Sequence, residues 1–95
     1  MLLQIRRLMV ENKGYRREIY SKNIFINTDN IVSIVDYEEL QNFLLSENSQ
    51  YSRDKFSIVK VSHGNTVEDI ITFGTAQQIY SRTRGSDTGK QILND

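Results

Sequence analysis

Most of this chain alternates apolar and polar residues at the period of a β-strand, and two short windows repeat at the period of a helix. The opening run Leu2–Val10 has apolar residues on both parities, with Leu3, Ile5 and Met9 on one. Asn12-Lys13-Gly14 follows, residues tolerant of positive φ, so the run reads as a strand turning through a hairpin into a second strand, Tyr15 to Asn27. In that second segment Tyr20, Lys22, Ile24 and Ile26 share one parity, while Ile19 and Phe25 take the other. Thr28-Asp29-Asn30 marks a turn. Ile31–Val35 is then a compact third strand, apolar on both faces, as expected of a central strand covered on each side.

Asp36-Tyr37-Glu38-Glu39 has the spacing of a capping box, with Asp36 as the capping residue, and Tyr37, Leu40, Phe43 and Leu44 fall on one helical face. The polar stretch from Ser46 reads as a mobile loop to about Asp54. Phe56–Val61 and Val67–Phe73 are expected to form a second hairpin around Ser62–Thr66. Thr75 and Gln78 have capping-box spacing for a last helix that turns Ala76, Ile79 and Tyr80 inward, carries Arg82 and Arg84 in its final turn and stops at Gly85. Together these elements predict an α+β domain over residues 1–85. It is a bent antiparallel sheet of about five strands with one inserted helix and a short C-terminal helix, in the order β-β-β-α-β-β-α. Residues 86–95 are expected to be a flexible tail.

Composition narrows the chemistry. Ninety-five residues suit one domain, and 38% hydrophobic with 25% charged residues is ordinary for a folded soluble chain. The absence of Cys excludes disulfides, thiolate metal sites and a cysteine nucleophile, and His63 is the only histidine. No apolar run approaches the ~20 residues of a membrane span, which together with the lack of a leader pattern gives a cytoplasmic expectation. Pro and Trp are absent and Ala76 is the only Ala, a bias toward sheet. Twelve basic and twelve acidic residues cancel overall but not locally: residues 1–22 sum to +4, 23–54 to −5 and 55–95 to +1. Such a dipolar chain can pair its charges internally, bind an anion at one end or join a second copy, and with strand edges that no Pro blunts a homo-oligomer is expected.

Three motifs bear on chemistry. Gly85-Ser86-Asp87-Thr88-Gly89-Lys90 resembles a phosphate-binding loop, but it has three residues between the glycines where four are needed, and Gln91 occupies the hydroxyl position. Ser62, His63 and Asp69 do not form a catalytic set, because neighbours on a strand point to opposite faces. Asp36, Glu38 and Glu39 lack the ligand spacing of a calcium loop. No metal, cofactor or catalytic residue is therefore expected.

The basic first hairpin is the main candidate site. Arg6, Arg7, Arg16, Arg17 and Lys22 are interleaved with Tyr15 and Tyr20, and Arg82, Arg84 and Lys90 would join them if the last helix packs beside the hairpin. Arg with Tyr suits both protein interfaces and phosphate contact with base stacking, although alternate parity divides the arginines between the two sheet faces. The run Ile24-Phe25-Ile26-Asn27-Thr28-Asp29-Asn30-Ile31-Val32-Ser33-Ile34 resembles the small flagellar and swarming-motility proteins of the FlbD type. The likeness extends to the Gly64 turn, Ile70-Ile71-Thr72 and the segment around Ile79-Tyr80, with Tyr37–Asp54 as an insertion. Small phage proteins have similar patterns. The resemblance implies a compact β-rich fold. The expected function is a non-enzymatic binding protein acting on a partner protein, as a regulator or a phage-type inhibitor of a host factor. The alternative is a nucleic-acid or anionic small-ligand binder using the basic residues.

Overall fold

Two glycine-first turns shape the molecule, a computed structural model that describes residues 1–84. Gly14 and Gly64 each take positive φ at the first position of a two-residue loop, which glycine does without steric cost. The first closes a long hairpin of β1 (Leu2–Lys13) and β2 (Arg16–Asn27), paired in unbroken register from Leu2↔Asn27 to Lys13↔Arg16. The second closes β4 (Phe56–His63) on β5 (Thr66–Phe73). Between the hairpins lie a single 3-10 turn (Thr28–Asn30), β3 (Ile31–Asp36) and α1 (Leu40–Ser46); α2 (Ala76–Thr83) follows β5. The five strands form one antiparallel sheet in the order β2-β1-β5-β4-β3, the expected α+β class. Gly85, Lys90, the Gly85–Lys90 motif and the expected tail lie outside the described residues.

This order forces the sheet to bend. β2 and β3 are its opposite edges, which in a flat sheet would stand ~19 Å apart at the usual strand spacing. Only three residues join them, and from Asn27 to Ile31 the chain spans at most ~14 Å. The sheet therefore curls until Ile26 of β2 packs in one buried cluster with Val59 and Val61 of β4, Leu3 and Ile5 of β1, Ile70 of β5 and Ile79 of α2. Residues of opposite parity fill a second cluster on the convex face: Leu8, Phe56, Leu40 and Leu44, flanked by Ile19, Phe43, Tyr51, Ile71 and Phe73. Helix α2 thus supplies the concave core and α1 the convex one.

Four sequence expectations change. β3 is an edge strand rather than a central one, with Val32 and Val35 exposed. Its apolar run misleads because the register shifts between Ile31 and Ser33, a bulge that lets Ile31 and Ile34 reach the same concave cluster despite their opposite parity. Asp36 does not cap α1. The N-cap there is Glu39, which makes no side-chain cap bond, and Asp36 Oδ1 instead accepts the Ala76 N–H at the start of α2 at 2.7 Å. Tyr80 is exposed, leaving Ile79 as the buried residue of α2. The segment after α1 is pinned by Tyr51, whose ring meets Phe73 edge-on at 5.1 Å. The Thr75–Gln78 capping box and the buried face of α1 are as expected.

Candidate interaction surface on the first hairpin

Twelve residues of strand rise ~40 Å, more than the remaining strands can flank, so the distal part of the first hairpin projects as an arm. The elongation is visible in the molecule as a whole: its radius of gyration is 14.9 Å, where a compact chain of this size has ~12 Å. β1 pairs with β5 only at Arg7↔Thr72, and Thr72, fully buried, donates its hydroxyl to the Arg6 carbonyl at 2.9 Å to strengthen that narrow seam. Among the described residues β2 has no strand on its outer side.

Alternation divides the basic residues between the two faces of the arm. On the convex face, Arg6 lies over the rings of Phe73 at 4.1 Å and Tyr51 at 5.5 Å. Arg17 reaches α1, pairing with Glu47 at 3.1 Å and lying over Phe43 at 5.4 Å. The Arg17 contacts brace the arm against α1, and the Arg6 contacts brace it against β5 and the segment after α1. Partly exposed cation–ring stacking of this kind contributes ~0.5–1 kcal/mol each. On the other face Arg7 pairs with Glu68 at 3.1 Å, and Glu68 also meets the His63 ring nitrogen at 3.1 Å. Asp69 pairs with Lys60 instead, so Ser62, His63 and Asp69 do not converge.

Nearer the tip, the same face carries a polar ladder. Tyr20 donates to Glu11, and Lys13 pairs with Glu18 at 3.1 Å and Glu11 at 3.9 Å. The hydrogen bond to Glu18, followed by the charges of Glu18 and Glu11, raises the Lys13 ammonium above its ordinary pKa. The hydrogen bond to Glu11, then burial and the two carboxylate charges, raises the Tyr20 phenol. A shallow groove of ≈ 150 Å³ at the tip is lined by Lys13, Arg16, Arg17 and Glu18. Of these cations, only Arg16 lacks a carboxylate partner among the described residues. Lys22 is also exposed and without one. Tyr15 is fully exposed in the turn, and Phe25 on β2 is 66% exposed.

The C-terminal arginines stand elsewhere. Arg82 donates to the Gln4 carbonyl at the base of β1, nine residues or ~30 Å along the strand from Lys13. Arg84 lies over the Tyr80 ring at 5.7 Å. The structure therefore does not bring Arg82 and Arg84 to Arg16 and Arg17, and Lys90 lies outside the described residues. Sequence reading missed Glu47 and Glu68 as partners of the basic hairpin, although the −5 segment that contains Glu47 signalled a complement. It also missed Phe25 as an exposed side chain. Among the described residues no helix is long and apolar enough to cross a membrane. Comparison with known proteins finds no family model, no curated sequence and no solved structure that matches the chain.

Proposed function

We propose that this chain is a non-enzymatic binding protein of regulatory type that engages a partner protein through the outer edge of the β1–β2 arm. The observation that carries the reading is β2 itself: twelve residues of strand, paired on one side only among the described residues, with Phe25 exposed along it and Tyr15 in the turn just before it. An unpaired strand edge presents backbone N–H and C=O groups that another strand satisfies, and exposed aromatic and Arg side chains are what protein interfaces favour.

The placement of charge supports a protein over a polyanion. Nucleic-acid affinity rests on several cations meeting successive phosphates. Here Arg7 and Arg17 are committed to carboxylates and Arg6 to two rings, while Glu11 and Glu18 stand among the cations of the tip. A photo-reactive side chain at position 25, with position 69 on the β4–β5 hairpin as control, tests the reading in a cell extract. The expected result is a discrete protein adduct at 25 that is absent at 69 and suppressed by excess unlabelled chain. An adduct removed by nuclease, or equal labelling at both positions, overturns it.

A further inference from the structure

The residues along the free edge of β2 are self-complementary in one register. A two-fold axis perpendicular to the sheet pairs two copies of β2 antiparallel and keeps each face with its own kind, so residue i meets a residue of the same parity. Centred on Tyr20, this pairing sets Glu18 against Lys22 twice, once in each direction. It also brings Tyr15, in the turn just before β2, toward Phe25 of the other copy twice, at the two ends of the ladder, joining the two exposed aromatic residues of the arm. Arg17 then meets Asn23 and Ile19 meets Ser21, pairs without conflict. The neighbouring registers match less well on charge. Centring on Ile19 places Arg16 against Lys22; centring on Glu18 or on Lys22 places each against itself. Centring on Ser21 pairs no opposite charges. Like charges directly opposite destabilise a sheet, and opposite charges and aromatic pairs stabilise it.

We propose that the partner of the β2 edge is a second copy of this chain, joined antiparallel in the register that pairs Glu18 with Lys22 and brings the Tyr15 turn toward Phe25, so that two five-stranded sheets become continuous. The proposal rests on the reading of the arm as a protein-binding edge and names its partner. Lys22 is exposed and without a carboxylate partner among the described residues, and Glu18, 46% exposed at the side chain, has one oxygen facing Lys13 and room for a second cation. The extent suffices for a ladder: residues 16–24 of each copy overlap, nine positions per strand.

Sedimentation equilibrium of the full chain at several concentrations tests this, with circular dichroism to verify that each variant is folded. The wild type is expected to be a dimer. Lys22→Glu and Glu18→Lys are each expected to weaken it tenfold or more, because each sets like charges opposite one another twice. The double variant E18K/K22E is expected to restore most of it, since both intermolecular pairs are then reversed and only the intrachain pairing of position 18 with Lys13 is lost. As a second probe, Tyr20→Cys introduces the only thiol of the chain at the axis, where the two Cα atoms lie ~4.5–5.5 Å apart and oxidation closes an intermolecular disulfide. Failure of the double variant to recover, or a dimer insensitive to the single ones, overturns the register. A monomer at the highest concentration overturns the second copy as partner. In that case a position-25 adduct larger or smaller than two chains still supports the arm as a protein-binding edge, and its absence removes both.

Discussion

Replacing Asp36 with Ala is expected to loosen α2 while leaving α1 intact, although Asp36 precedes α1 in sequence. The start of α2 is held by three side-chain bonds: Asp36 Oδ1 accepts from Ala76 N at 2.7 Å, Thr75 Oγ1 from Gln78 N at 3.1 Å, and Gln78 Oε1 from Thr75 N at 2.8 Å. Removing the first leaves one helix-end N–H to water and removes a negative charge from the positive end of the helix. A lost cap costs ~0.5–2 kcal/mol and a lost favourable charge ~0.3–1 kcal/mol. Asp36 is exposed, so water compensates in part, and the sum sits near the lower ends, ~1–1.5 kcal/mol. For a domain of this size that lowers the melting temperature by ~4–12 °C. Asp36→Asn keeps an acceptor and loses the charge, so it should fall between wild type and Asp36→Ala. Thermal unfolding gives the size of the effect and amide exchange gives its location. The Ala76 N–H should exchange faster while the amides of Leu40–Leu44 do not change. Faster exchange in α1 with Ala76 unaffected would refute the assignment of this carboxylate to α2.

Other expectations follow from the buried groups. Ser57 is fully buried and its hydroxyl has no partner among the described residues, so Ser57→Ala should be neutral or stabilising in a thermal melt. Thr72→Val, at the position directly opposite, leaves the Arg6 carbonyl without its bond and should destabilise by ~1–3 kcal/mol. Leu44, fully buried between α1 and the convex sheet face, should cost ~2–5 kcal/mol on replacement by Ala, read from the denaturant midpoint. Tyr20 has its phenol raised above its ordinary value of 10.0. Its contribution to the arm is therefore complete below that value and lost as pH rises through the higher folded one. The difference in phenolate absorbance between wild type and Tyr20→Phe should show a midpoint above 10.0; a midpoint at or below it contradicts the Glu11 bond.

Local pattern carries far in this chain because most of its elements close on neighbours in sequence. Both hairpins are set by a glycine turn between alternating runs, and the Thr75–Gln78 capping box is a three-residue signal complete in itself. What sequence did not reveal depends on contacts made across the sheet. That β3 is an edge follows from β1 pairing with β5, a contact between residues 7 and 72, and the bulge at Val32 disguises the strand's parity. Asp36 serves a helix forty residues away, which no local capping rule detects. The basic hairpin was visible as a cluster in sequence. Its neutralisation by Glu47 and Glu68 was not, because those partners come from α1's end and β5, brought close by the fold. The charge split along the chain was the one clue to this, and it is resolved in part by such internal pairs.

The central claim is that the outer edge of β2 is a protein-binding strand edge, occupied by a second copy. Amide hydrogen exchange of that strand, followed residue by residue against protein concentration, tests it most directly. Alternate residues of an edge strand turn their N–H groups away from the neighbouring strand. The outward amides between Arg16 and Ile24 are expected to be protected at high concentration and to lose that protection on dilution, while the amides bonded to β1 stay protected throughout. Rapid exchange of the outward amides at every concentration, in the presence of extract as well as in its absence, would contradict the claim.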